Sequence, residues 1–231
     1  MRGASQHLPA AFPSSRRLRK AFSSADLDGD ARLAGYFNWI EPASAARLVG
    51  RGADAHENPL LMALGDIPGN TAPLNKMLYL ESRFFLADHN LNYTDKMGMA
   101  AGVEIRVPFL DRDLVSLAAR LPVNFKQRGA TGKWILREAM RDVLPDALID
   151  RPKTGFGAPV RHWLRGELRP MLDALTAKGS ALEGHMDLAA ISALVSSDRA
   201  GQLDAAYPLL AMLGIESWLR QFGSAKTRAM T

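Results

Sequence analysis

Prolines and glycines cut this chain into short stretches, and inside those stretches apolar residues recur at three and four positions rather than at two. That period belongs to helices with one buried face, so it restricts the chain to a mainly α architecture with long connections. Met77, Leu80, Phe84 and Ala87 predict a helix over 74–88, with Asn75 and Lys76 on its other side. A second helical stretch is expected over 92–101, with Gly102 as its stop. Asp111 is placed to cap a helix whose apolar face is Leu114, Leu117, Ala118 and Leu121, and Pro122 ends it. Thr131 and Gly132 are expected to open the next helix. Its stripe of Leu136, Ala139, Met140, Val143 and Leu144 should be buried, and Pro145 stops it. Further helices are expected over 31–50 (in two pieces, the second starting at Pro42), 159–177, 187–197 and 207–222, with Asp187 as a cap and Pro208 in a first turn. Residues 51–72 read as loop or broken helix. Strand candidates are short, chiefly Val103–Val107, where Pro108 biases Val107 away from helix.

Charge divides the 231 residues unevenly. The net charge is +5, and Arg2, Arg16, Arg17, Arg19 and Lys20 account for it, so the rest of the chain is neutral overall. We expect residues 1–25 to form a basic, loosely ordered arm and residues 26–231 a single helical domain. The arm reads as a solvated first segment or as an anion contact; a nucleic-acid partner is not expected. Pro9 and Pro13 break the amphipathic pattern that an organelle-targeting peptide needs. No run of eighteen apolar residues exists, so no membrane partner is expected, and the expected location is the cytoplasm. The absence of cysteine excludes disulfides, thiolate metal sites and cysteine nucleophiles, and the five histidines are too scattered for a metal site.

The chemistry-bearing residues gather in the middle of the chain. Lys133 stands where a helix is expected to begin, a position at which a cation is disfavoured unless an anion binds there too. Arg137 and Arg141 follow at intervals of four, either as a phosphate-facing row with Lys133 or as a solvated stripe paired with Glu138 and Asp142. Glu104 and Arg106 lie two apart in an extended segment and so share a side, as an ion pair or as an acid–base group beside an anion contact. Arg151 and Lys153 sit in R-P-K-T-G-F-G, a tight loop that either cradles phosphate or joins two helices. Trp134, Phe156 and Trp163 read as packing residues rather than base-stacking platforms.

Three segments carry a resemblance. D-K-M-G-M-A-A-G-V-E-I-R-V-P-F-L-D from Asp95 to Asp111, G-K-W-I-L-R-E-A-M from Gly132 to Met140, and L-P-D-A-L-I-D-R-P-K-T-G-F from Leu144 to Phe156, followed by Trp163-Leu164, keep a common order and spacing. In these segments the chain resembles the C-terminal synthetase domain of glutamine-hydrolysing asparagine synthetases, a domain that β-lactam synthetases share. The resemblance implies the helical C-terminal portion of an α/β adenine-nucleotide α-hydrolase-like (ATP pyrophosphatase) domain. It also implies an ATP-dependent amide ligase. A carboxylate, by default the side chain of aspartate, attacks the α-phosphate of ATP, and pyrophosphate leaves. Ammonia derived from glutamine then attacks the carbonyl of the acyl-adenylate.

On this resemblance Lys133 is the catalytic lysine that contacts phosphate oxygens, and Glu104 matches a glutamate that assists catalysis in the β-lactam branch. Arg106, Arg137, Arg151 and Lys153 are implied near the nucleotide phosphates. ATP with Mg2+ is implied as well. The family's S-G-G-x-D-S nucleotide loop and the cysteine of its glutaminase domain do not occur in this sequence. The chain is therefore expected to correspond to roughly the last two-fifths of a family member and to be inactive alone. The alternatives are a non-catalytic interaction module, or one subunit of a split enzyme whose nucleotide loop and glutaminase lie on another chain.

Overall fold

A computed structural model of the chain describes residues 22, 24–50, 58–152 and 157–223. The basic arm therefore lies almost wholly outside the described residues, as do residues 51–57 and Lys153. In chain order the helices are α1 (Gly29–Gly35), α2 (Pro42–Val49), α3 (Pro59–Gly65), α4 (Pro73–Leu80), a π-wound segment (Glu81–Leu91) and α5 (Asn92–Ala100). A 3-10 turn (Pro108–Leu110) leads to α6 (Arg112–Arg120) and α7 (Val123–Lys126). The strands β1 (Gln127–Arg128) and β2 (Thr131–Gly132) follow, then α8 (Trp134–Ala139) and α9 (Asp146–Ile149). The chain continues with α10 (Val160–Arg165), α11 (Arg169–Ala174), α12 (Leu188–Arg199), α13 (Ala206–Trp218) and a terminal π-wound segment (Leu219–Gly223). The architecture is mainly α, and no helix among the described residues is long and apolar enough to cross a membrane.

The chain forms two compact units, one of Met1–Asn58 with Gly157–Thr231 and the other of Pro59–Phe156. The first unit holds the larger apolar core. Val160 and Leu164 of α10, Leu172 of α11, Ile191 and Val195 of α12, and Leu209 and Met212 of α13 bury against one another, with Leu48 of α2 joining them. Asp187 caps α12, its carboxylate accepting from the Ala190 N–H at 3.0 Å, while its own N–H donates to the Leu48 carbonyl. Arg161 of α10 grips Asp204, just before α13, through Nε (2.9 Å) and Nη2 (2.6 Å). Its guanidinium also lies 5.4 Å from the ring of Tyr207.

The second unit is the one that carries the candidate site. Its helical path is continuous from Pro73 to Ala100 rather than broken between two helices. Inside it Phe85 stacks on His89 and His89 meets the edge of Tyr93, with ring centroids 5.0 and 5.3 Å apart. The polar side of α4 is not the solvent side: Lys76 is buried, and Asn75 accepts from Lys126 Nζ at 2.8 Å. Burial lowers the pKa of Lys126. This bond ties α7 to α4, a long-range pairing that helical periodicity does not reveal.

Gly102, at φ 69°, turns the chain after α5, and the Val103 N–H donates back to Gly98 at 2.9 Å. A Cβ on Gly98 would lie 2.8 Å from the Val103 carbonyl oxygen, so the returning strand can approach the helix only over a glycine. Residues 103–107 have no regular secondary structure and pair with no strand among the described residues, so the strand candidate there does not form. Asp111 then caps α6, accepting from the N–H groups of Asp113 (3.0 Å) and Leu114 (3.1 Å). Asp111→Ala should lower stability by about 1 kcal/mol, read as a shifted midpoint in urea at unchanged slope.

Two expectations fail between 127 and 149. Thr131 and Gly132 do not open a helix; they pair antiparallel with Gln127 and Arg128, around a turn in which Gly129 has φ 57°. The helix starts only at Trp134 and ends at Ala139. The stripe expected to be buried is largely not: Leu136 and Leu144 are exposed, and Val143 is 67% exposed. The periodicity was that of a longer helix, whereas the hairpin and the turn after Met140 shorten it. A short helix, α3, forms inside the stretch 51–72, which fits the broken-helix reading of that stretch rather than the loop reading.

Candidate active site

The hairpin β1–β2 delivers the chain to Lys133 in an unusual conformation. Lys133 has φ 55° and ψ 35°, and among the described non-glycine residues it alone has positive φ. For an L-residue the left-handed region costs roughly 1–2 kcal/mol, because Cβ crowds the carbonyl oxygen. Lysine brings no compensating local hydrogen bond, unlike asparagine or aspartate. Among the described residues its ammonium makes no hydrogen bond or ion pair, and the side chain is exposed. A strained backbone that presents an unused cation is the pattern in which strain and function coincide. The first-turn placement expected for Lys133 is corrected to the N-cap position of a six-residue helix. The backbone conformation, not a helix dipole, is therefore the feature that singles this residue out.

Its neighbours are held by Arg137. The Arg137 backbone N–H donates to the Lys133 carbonyl at 3.1 Å, and its Nε donates to the Gly132 carbonyl at 3.1 Å. Its Nη1 donates to the Ile149 carbonyl. Ile149 is buried at the end of α9, two residues before Arg151. One guanidinium thus joins the turn that carries Lys133 to the segment that carries Arg151. Arg141, on the same helical row in the sequence, is committed elsewhere: it pairs with Glu138 (3.2 Å) and Asp146 (3.3 Å). Trp134 packs against Phe125, with ring centroids 5.8 Å apart, and Arg128 lies over its face at 3.7 Å, so it acts in packing.

Glu104 and Arg106 meet each other, as their spacing implies. Arg106 Nε donates to Glu104 Oε1 at 2.9 Å and Nη2 to Oε2 at 3.4 Å, with both side chains exposed. Among the described residues no hydrogen bond or ion pair links this couple to the Lys133 turn. Arg151 is exposed, and Lys153 lies outside the described residues. The structure therefore brings together Lys133, Arg137 and the approach to Arg151 on one side, and Glu104 with Arg106 on the other. Sequence reading missed Arg137's carbonyl partners and Gly98, which shapes the turn before Glu104. The glycine inside an otherwise helical pattern was the available signal for the latter.

No cluster of three or more His, Cys, Asp or Glu among the described residues is arranged to hold a metal ion, so these side chains do not fit a protein-built Mg2+ cage. Cations that can meet phosphate are present: the Lys133 ammonium, unpaired among the described residues, and the exposed Arg151.

Comparison with known proteins gives a consistent result. The asparagine synthase family matches residues 2–220. A putative glutamine-hydrolysing asparagine synthetase of Mycobacterium bovis is 37% identical over 148 residues, which are 63% of this chain and 22% of that protein. Glutamine-hydrolysing asparagine synthetase 1 of Bacillus subtilis is 38% identical over 95 residues, 41% of this chain and 15% of its own. Carboxyethyl-arginine beta-lactam-synthase of Streptomyces clavuligerus is 42% identical over 48 residues, 21% of this chain and 9% of its own. The stretch matched in the first of these is thus about a fifth of that relative's length. No solved structure matches the chain.

Proposed function

Because this chain belongs to the asparagine synthase family, we propose that it is the helical C-terminal part of an ATP-dependent amide ligase. The reaction is formation of an acyl-adenylate on a carboxylate, by default aspartate, followed by amidation with ammonia derived from glutamine. The observation that carries this reading is Lys133, an exposed ammonium without a partner among the described residues, mounted on a left-handed backbone that a lysine does not favour.

Lys133 would contact the phosphoryl oxygens and stabilise the charge that grows as pyrophosphate departs, a contribution made by position and electrostatics. Glu104 would assist the amidation step, with Arg106 orienting its carboxylate through the 2.9 Å bond. Arg151 and Lys153 would add positive charge around the phosphates, and Arg137 would bring its guanidinium to the same neighbourhood. Mg2+ is implied by the family resemblance alone. We place the work of the protein in the cytoplasm, and we treat residues 26–231 as one functional segment behind a basic arm.

By itself the chain is expected to form no AMP from ATP, aspartate and ammonia, because the S-G-G-x-D-S loop of the family is not part of its sequence. Added to a chain that supplies that loop, it should restore AMP formation. AMP release by the isolated chain at an ordinary enzymatic rate would refute this reading. A second reading, one subunit of a split enzyme, is favoured by the apolar side chains that the second unit leaves bare. Met97, Phe109, Leu117, Val143 and Leu148 are all exposed there, and apolar surface of this kind marks a place where protein is to be added. Co-purification with a chain carrying the nucleotide loop distinguishes the two.

A further inference from the structure

We propose that Arg137 is a positioning residue whose task is to hold Lys133 in its left-handed conformation, rather than a direct phosphate contact. The inference rests on the ligase reading for its function, but its geometry stands alone. The φ and ψ of Lys133 are the rotations between two peptide planes, one containing the Gly132 carbonyl and the other the Lys133 carbonyl. Arg137 binds both: its Nε takes the Gly132 oxygen at 3.1 Å and its backbone N–H takes the Lys133 oxygen at 3.1 Å. With both planes tied to one residue, the dihedrals between them are set at φ 55° and ψ 35°. The third bond, from Nη1 to the Ile149 carbonyl, anchors the guanidinium to the end of α9, so the clamp does not swing with α8 alone.

A lysine at position 137 could not do this. Its single ammonium carries the same charge but lacks the planar fork that reaches two carbonyls at once. Charge and geometry are therefore separable by substitution. Two of the guanidinium nitrogens are already engaged by carbonyl oxygens, which favours the clamp over a phosphate contact.

The test measures inorganic pyrophosphate binding to the whole chain by calorimetry, together with the backbone chemical shifts of Gly132 and Lys133 by NMR. Arg137→Lys and Arg137→Gln should each weaken pyrophosphate about tenfold, within the range that coupled neighbours show. Both should move the Lys133 shifts toward right-handed values. In a Lys133→Ala background Arg137→Lys should change the affinity by less than about 1.5-fold, because the residue it serves is gone. Affinity kept by Arg137→Lys but lost by Arg137→Gln would instead assign a charge contact and overturn the proposal. So would an equal loss with and without Lys133.

If the wild-type chain does not bind pyrophosphate, or Lys133→Ala binds as the wild type does, the ligase reading fails. The clamp is then judged on the Lys133 shifts, and unchanged shifts in Arg137→Lys overturn it. Should Arg137→Lys fold poorly, Lys133→Gly decides the matter. A glycine accepts the left-handed region without help, so Arg137→Lys should lower the unfolding midpoint less in that background than in the wild type. An identical drop in both backgrounds would also overturn the clamp.

Discussion

Glu216→Ala should cost the first unit about 3–5 kcal/mol, the largest loss expected from any ion pair among the described residues. Glu216 is 7% exposed on α13, a helix otherwise built of apolar and small residues. Its carboxylate accepts from Ser180 Oγ at 3.0 Å, from the Ala181 N–H at 3.1 Å and from the Leu182 N–H at 3.0 Å, and it meets Arg220 at 2.5 Å. Truncation removes both acceptor oxygens and strands several donors, and each buried donor left without a partner costs about 1–3 kcal/mol. Glu216→Gln keeps the shape and one acceptor oxygen while turning an NH2 group toward a donor, so a smaller loss of about 2 kcal/mol is expected. Equilibrium unfolding in guanidinium measures both, and a loss below about 1 kcal/mol for the alanine variant would contradict this account.

The same carboxylate predicts an acid limb. Burial alone would raise its pKa. The bonds from Ala181 and Ser180 and the neighbouring Arg220 outweigh burial and hold it below its ordinary value of 4.5. A depressed native pKa means that the stabilisation is complete above the unfolded value and is lost as pH falls through the native one. Wild-type stability should therefore decline below about pH 4.5, and the part of that decline due to Glu216 should be missing in Glu216→Gln.

Lys133→Gly should separate stability from function with opposite signs. A glycine adopts the left-handed region freely, so relief of strain should raise stability by about 1 kcal/mol, somewhat offset by the greater freedom of glycine in the unfolded chain. Pyrophosphate affinity should fall at least about tenfold, since a charged hydrogen bond is worth about 1.5–3 kcal/mol. If the glycine variant were less stable than the wild type, Lys133 would be serving the fold, and its strained backbone would no longer point to a ligand.

The legible parts of the molecule are those with local causes. Asp111 and Asp187 cap their helices because a carboxylate reaches N–H groups only two or three residues ahead. The helix α6 ends before Pro122, and Gly102 stops α5 with positive φ, as a reading of single residues expects. Glu104 and Arg106 pair, as their spacing of two suggests for side chains on one side. The motifs carried the family outright, since order and spacing over three segments are one-dimensional information.

The parts that were not legible depend on neighbours distant in sequence. Gln127–Gly132 forms a hairpin, and its turn through Gly129 overrides the helical start that Thr131-Gly132 suggests. Lys126 finds Asn75 across the second unit, and Glu216 finds the 180–182 turn across the first.

The amino-acid sequence by itself determined a mainly helical chain, the caps at Asp111 and Asp187, the stop at Gly102, and its membership of the asparagine synthase family. Those depend on the dihedral preferences of single residues and on the spacing of side chains along one strand of text. Only the tertiary structure decided that Lys133 stands on a left-handed turn, that Arg137 grips the carbonyls of Gly132 and Ile149, and that Glu216 is buried among donors. A hydrogen bond between groups 12 or 34 positions apart is a fact of where the chain returns in space, and periodicity along the chain carries no record of it.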